Sequence, residues 1–307
     1  MTKRNGFSAA TRRRRPHRPK RSPRMHRAFF ETLEPRMMLT TAAMLDGNDD
    51  LVLSGDGGSN DIRLSLVASG TELRLEDPNG ITASGPEFTA DGPNAFRIAL
   101  ADITGEDVIV NAAGDADSLT IDNGGGILTL PIDYNGGTGN DSLVLTGDPG
   151  YVVARGSCGV GGNQDAGTWT LDPDGTTGNG DELDVSFSGL EPVDSDTPVA
   201  TFDVVLTPGI DDVSIEDGGT LGGVDATQVV DNGGTFESFR FANKATVLIN
   251  GADGADAFFV DHLFPAAGLN SLELYGHDVT GTDTTDDNAD DSFTVNVYGD
   301  PAGLTID

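Results

Sequence analysis

Twenty-four residues separate Asn111 from Asn135, and each opens the same nine-residue frame, "NAAGDADSL" and then "NGGTGNDSL". A third copy, "NGADGADAF", starts at Asn250. In all three an aspartate holds the seventh place (Asp117, Asp141, Asp256), and a large apolar residue follows two positions later. A Gly/Asn-rich turn, an acid and then an apolar run is how a chain rounds a corner and starts a strand. A period of this length is that of one winding of a β-solenoid, and such repetition restricts the fold more than any single residue does.

The repetition extends beyond the corners. Residues 95–122, "AFRIALADITGEDVIVNAAGDADSLTID", align with 238–261, "SFRFANKATVLINGADGADAFFVD", across a short gap. "DSLVLTGDPG" at 141–150 matches "DSFTVNVYGDPAG" at 291–303, and 51–65 echoes 204–216. The chain therefore reads as a duplicated module of about 100 residues, at 46–150 and 201–307. Residues 151–200 contain the alternating runs "GTWTLD" and "LDVSFSGLEPV", and are read as connecting β coils. Short runs such as "DVIVN", "SLTID" and "ATVLIN" are β-branched and bounded by Gly, Asn and Asp. The expected fold is all-β: an irregular right-handed parallel β-helix built from a duplicated module. The alternative is tandem immunoglobulin-like β-sandwiches, whose domains are also about 100 residues long.

Charge divides the chain into two materials. The first 40 residues carry 12 of the 18 basic side chains and two acidic ones; the rest carries six basic and 48 acidic. Of the 50 acids, 39 are Asp and 11 Glu, alongside 42 glycines. Asp is the acid of tight turns and a hard-cation ligand, whereas a helical protein favours Glu. So acidic a surface repels nucleic acid, which excludes it as a partner of the folded body. It also repels itself unless cations sit among the carboxylates. The single Cys158 excludes an internal disulfide framework.

Residues 1–45 read as a disordered basic leader with an export signal. The uncharged run Met37–Leu45 is too short to cross a bilayer, so no transmembrane segment is expected. Leu33, Glu34, Pro35, Arg36, Met37, Met38 and Leu39 resemble the L-E-P-R-x-L-L sorting motif of large secreted and surface proteins of planctomycete bacteria. Met38 stands where that family usually has Leu. The resemblance implies a secreted or cell-surface location and is silent on activity.

The segment Asn135–Leu143 also resembles the nonapeptide G-G-x-G-x-D-x-U-x of hemolysin-type calcium-binding rolls. Those rolls need tandem copies, and neither flanking nonapeptide fits, so Asp141 reads first as a turn residue. Stacked windings would still bring Asp115 and Asp117 beside Asn140 and Asp141, a cluster of hard oxygen ligands for calcium. Asp253 and Asp256 repeat the arrangement. "DPDGTTGNGDELD" supplies a further candidate turn in Asp172, Asp174, Asn179 and Asp181; it is no EF-hand, because Leu183 holds the position of the bidentate Glu.

Catalysis is not expected. "RGSCGVGG" fails the G-x-S-x-G pattern, and His262 and His277 read as surface turn residues. Arg97 and Arg240 occupy equivalent places in the two modules and are expected to pair with neighbouring acids. The functional expectation is an exported, non-enzymatic adhesion or scaffold protein, stiffened by calcium at acidic turns, whose partners are surface polysaccharide or other surface proteins. The alternative is an extracellular carbohydrate-active β-helix enzyme, a lyase or hydrolase.

Overall fold

The computed structural model describes residues 41–105, 107–159, 164–276, 291–299 and 303–306. The sorting motif from Leu33 to Leu39, and His277, lie outside these residues.

The strands follow from alternation. In Asp61–Val67, Ile62, Leu64 and Leu66 are buried while Arg63 and Ser65 face outward. The first quarter contains β1 (Thr41–Leu45), β2 (Leu51–Ser54), β3 (Asp61–Val67), β4 (Glu72–Glu76), β5 (Ile81–Ser84), β6 (Thr89–Ala90) and β7 (Ala95–Ala99). The 24-residue repeat supplies β8 (Val108–Asn111), β9 (Ser118–Asp122), β10 (Ile132–Asn135) and β11 (Ser142–Thr146). The connecting region holds β12 (Val153–Cys158), β13 (Ala166–Asp172), β14 (Leu183–Ser188), β15 (Val193–Ser195) and β16 (Val199–Val205). Then come β17 (Asp212–Leu221), β18 (Val224–Asp231), β19 (Phe239–Phe241) and β20 (Lys244–Asn250). The last are β21 (Ala257–His262), β22 (Ser271–Tyr275), β23 (Ser292–Tyr298) and β24 (Gly303–Ile306).

These strands form two sheets of twelve, ordered β24-β22-β20-β16-β12-β13-β14-β10-β8-β2-β1-β5 and β23-β21-β17-β18-β19-β15-β11-β9-β3-β4-β7-β6. From β8 to β11 the chain passes from one sheet to the other and back, laying each pass parallel beside the last. Val108 pairs with Ile132 and Leu119 with Leu143, so both sheets advance by the 24 residues read from the sequence. The corner between them is in register too, through a parallel bridge from Gly114 to Thr138. The all-β expectation holds, with mostly parallel pairing. Tandem immunoglobulin-like sandwiches are overturned, because such sandwiches are built from antiparallel sheets.

Hairpin strands interrupt the winding. β4 pairs antiparallel with β3 and β7, β13 with β12 and β14, and β18 with β17 and β19. The passage β2–β3–β4 therefore has the same form as β16–β17–β18. The aligned segments do not pack as separate units, however. One buried cluster runs from Ala43 to Leu274. Its aromatic centre joins Trp169 of β13, stacked on Phe202 of β16 at 4.7 Å, to Phe239 of β19 at 6.0 Å.

The strand Thr41–Leu45 lies inside the segment assigned to the leader. Thr41 and Ala43 are buried because alternate residues of β1 face the core, and the Thr41 hydroxyl donates to Asp77 at 2.6 Å. Among the described residues, no helix is long and apolar enough to cross a membrane.

Candidate metal centre and a carboxylate ladder

The repeated aspartates stand immediately before strands of the second sheet: Asp117 before β9, Asp141 before β11 and Asp256 before β21. Parallel strands lie about 4.8 Å apart, so each carboxylate reaches the backbone of the preceding pass. The Asn60 N–H donates to Asp117 Oδ1 at 2.6 Å, and the Asp117 N–H to Asp141 Oδ1 at 2.8 Å. Further along, the Asp211 N–H donates to Asp256 Oδ1 at 2.8 Å and the Asp256 N–H to Asp291 Oδ1 at 2.9 Å. The result is a ladder of carboxylates, each satisfying a corner N–H that the sheets leave over.

The ladder explains the invariant spacing within the frame. A Cβ on Gly136 would lie 2.6 Å from Asp141 Cβ and would collide with the Gly189 carbonyl, and one on Gly251 would collide with Asp256 Oδ2. In these two copies the glycine five residues before the acid leaves room for the folded-back carboxylate, whereas the first copy has Ala112 there.

Burial tunes these acids. Asp117 and Asp141 are 2% and 0% exposed. Desolvation, then the charges of Asp141, Asp115 and Asp56, push Asp117 up to about 6 against the Asn60 N–H. Asp141 is raised by burial, opposed by the Asp117 N–H. The same column continues through Glu191 and Glu237, each two residues before the paired Val193 and Phe239. Burial, then Glu191 and Asp165, push Glu237 up to about 8.

Asp117 stacks on Asp141 through its N–H, and Asp117 Oδ2 and Asp141 Oδ2 are buried without a hydrogen-bond partner. Asp117, Asp141 and Asp256 each spend an oxygen on a neighbouring N–H. Asp115 and Asn140 face solvent, and Asp253 is half-exposed.

A different turn gathers carboxylates. Among the described residues, ligand oxygens of Asp172, Asp174 and Asp181 lie within 4.8 Å of one another. Asp172 ends β13 and Asp181 stands just before β14, so the antiparallel pair clamps both ends of the loop. Gly175, Gly178 and Gly180 have φ of +82°, +76° and +83°, which lets the loop coil back without strain. Asp172 is buried and accepts from Arg155 Nη1 at 2.8 Å and from the N–H groups of Asp174 and Gly175 at 3.0 and 2.6 Å. Burial raises its pKa, but Arg155 and those N–H groups outweigh burial and hold it below the usual range. Asp174 accepts from Thr176 N–H at 2.7 Å and from Asn179 Nδ2 at 3.3 Å. Glu182 turns outside the cluster, accepting from the N–H groups of Gly178 and Gly180. Asp181 Oδ1 is buried without a hydrogen-bond partner. Its pKa is raised by desolvation, then by Asp174, Glu182 and Asp172. A divalent cation bound by oxygens at about 2.3–2.6 Å fits this spacing and would relieve that repulsion.

The arginines are committed to structure. Arg97 pairs with Glu72 at 3.2 Å and Asp91 at 3.3 Å, and Arg240 Nε donates to Asp194 at 2.8 Å. His262 departs from the surface-turn expectation: it is fully buried, with Nε2 2.8 Å from the Thr227 hydroxyl, because it holds an inward position on β21. Cys158 is buried and unpaired, its thiol pushed up to about 12 by burial, then by Asp211 and Glu237. Sequence reasoning missed Lys244, which is wholly buried, donates to Ser195 Oγ at 2.9 Å and is pushed down to about 7 by desolvation. It follows Asn243 at φ +59°, and nothing in the local sequence marks it as buried.

Comparison with protein-family models, with curated proteins and with solved structures finds no match.

Proposed function

We propose that this chain is a non-enzymatic structural protein of the cell surface or extracellular matrix, whose acidic windings form a scaffold or adhesive stalk and whose β13–β14 turn holds calcium. One observation carries the reading: the oxygens of Asp172, Asp174 and Asp181 converge within 4.8 Å on a rigid strand pair. The resemblance of Leu33–Leu39 to an export-sorting motif supports the location, and the hydrogen-bonded or ion-paired arginines support a structural role. Calcium, by bridging Asp172 to Asp181, ties the end of β13 to the start of β14 and stiffens the middle of the stack. Surface polysaccharide or another surface protein is the partner this reading implies.

The test is a thermal melt of the full chain with calcium, magnesium or sodium at matched ionic strength. Calcium is expected to raise Tm by several degrees, and Asp174→Asn with Asp181→Asn to abolish the rise. An equal rise with sodium reduces the effect to charge screening.

A second reading, a carbohydrate-active enzyme, draws on a groove of about 1150 Å³ lined by residues including Cys158, Asp165, Leu206, Pro208 and Thr235. Glu237, whose pKa of about 8 suits a general acid, interacts electrostatically with Asp165 of this groove. Turnover of an acidic polysaccharide that disappears in Glu237→Gln would replace the structural reading with this one.

A further inference from the structure

The outward face of the first sheet is polar across the middle of the stack. Asn111 of β8, Asn135 of β10 and Ser188 of β14 stand side by side in register, and so do Ile109, Asp133 and Ser186. Antiparallel β13 continues the surface, with Thr168 opposite Ser186 and Thr170 opposite Asp184. Two depressions lie on this face. One, of about 210 Å³, spans β8, β10 and β14, and its lining includes Ile109, Asn111, Asp133, Asn135 and Ser186. The other, of about 240 Å³, spans β10, β14 and β13, with Asp133, Thr168, Thr170, Asp184 and Ser186 in its lining. They share Asp133 and Ser186, so together they make one shallow groove that crosses the strands.

The carboxylates of this groove are held in place by hydroxyls. Ser186 Oγ donates to Asp133 Oδ1, and Thr170 Oγ1 donates to Asp184 Oδ1 at 2.7 Å. Each pair ties one strand to the next, and each leaves a second carboxylate oxygen to accept from another donor. Among the described residues, the side chains of Asn111, Asn135, Thr168 and Ser188 have no hydrogen-bond partner, and the first three are exposed. The groove therefore offers oriented acceptors beside amides and hydroxyls that both donate and accept. Tyr134 and Phe187 are only 2% and 6% exposed, so neither projects as the aromatic anchor that centres a protein interface. Asp133 and Asp184, on so acidic a body, repel an anionic polymer.

We propose that this groove binds a neutral polysaccharide laid across the strands, an assignment that rests on the scaffold and adhesion reading above. Sugar hydroxyls donate to Asp133 and Asp184 in charge-assisted hydrogen bonds and exchange further ones with Asn111, Asn135 and Thr168. The C–H face of a sugar ring covers Ile109. The two depressions are offset by one strand, about 4.8 Å, comparable with the advance of a polysaccharide per ring. A repeating polymer thus meets a repeating row of partners.

The test is calorimetric titration of the full chain, with and without calcium. The probes are neutral β-1,4-linked hexasaccharides of glucose, mannose and N-acetylglucosamine, and oligogalacturonate of the same length. A neutral hexasaccharide is expected to bind, and its disaccharide to bind at least tenfold more weakly because it cannot fill the whole groove. Asp133→Ala and, separately, Asn135→Ala should each weaken binding about tenfold with Tm unchanged, since both side chains are exposed. Thr120→Ala, on the other sheet, leaves affinity unchanged. No binding of any neutral hexasaccharide at millimolar concentration overturns the proposal, as does affinity indifferent to both groove substitutions. Tighter binding of oligogalacturonate in calcium-free buffer overturns it too. Groove-dependent binding without a calcium-induced rise in Tm supports the groove and removes only the calcium turn; the rise without binding overturns the groove alone.

Discussion

Asp141 shows how much one side chain carries in this fold. Its Oδ1 takes the Asp117 N–H at 2.8 Å, and its carboxylate fills the space left by Gly136. Replacing it with Ala strands a buried N–H, a loss of about 1–3 kcal/mol; Asn retains the acceptor and removes a charge that burial opposes. We expect urea denaturation to rank the wild type and Asp141→Asn close together, with Asp141→Ala well below. Asp117 makes the ladder sensitive to pH. Its folded pKa of about 6 lies above the unfolded value of 3.8, so between those values the folded chain binds more protons. Its contribution is full below the unfolded pKa and is lost as pH rises through about 6. Tm is therefore expected to be higher at pH 4.5 than at pH 7, and Asp117→Asn to flatten that slope. A Tm that climbs from pH 4.5 to 7 contradicts this.

At the scale of elements, the antiparallel pair β12–β13 decides what the acidic turn can do. Arg155 on β12 neutralises Asp172 on β13, so a cation competes with the guanidinium for that carboxylate. Arg155→Met leaves Asp172 with its two backbone donors but no counter-charge, and is expected to cost about 1–3 kcal/mol in calcium-free buffer. Calcium should recover part of that loss, and calorimetric titration should show tighter binding than in the wild type. Unchanged affinity would mean that Asp172 does not ligate. The candidate turn was legible because Asp, Asn and Gly recur through Asp172–Asp181. The arginine's part in it was hidden, because residues 17 apart in sequence meet only through the hairpin register.

Among the described residues, one buried cluster joins the two aligned segments. Trp169 lies in the segment read as connecting coils, yet it packs on Phe202 and Phe239 at the centre of the buried cluster. Its fluorescence is therefore expected to change in the same thermal transition as the far-UV circular dichroism, and separate midpoints would restore independent modules. Trp169→Ala should lower stability by about 3–5 kcal/mol. The hairpins of β4, β13 and β18 hid this unity from the sequence. Each inserts antiparallel pairings into a mostly parallel stack and breaks the 24-residue period that revealed the winding.

What the sequence determined by itself is whatever repeats or is local. The corner frame, the Asp-for-Glu bias and the strand runs each depend on turn chemistry and alternation within a few residues, and together they led to an all-β stack with acids at its bends. Only the tertiary structure decided what those acids do. Whether a carboxylate meets a backbone N–H, an arginine or another carboxylate depends on register between passes and on burial, which are properties of neighbours far away along the chain. That is why Asp117, Asp141 and Asp256 became rungs of a ladder, while Asp172, Asp174 and Asp181 form the one triad among the described residues whose ligand oxygens converge within 4.8 Å.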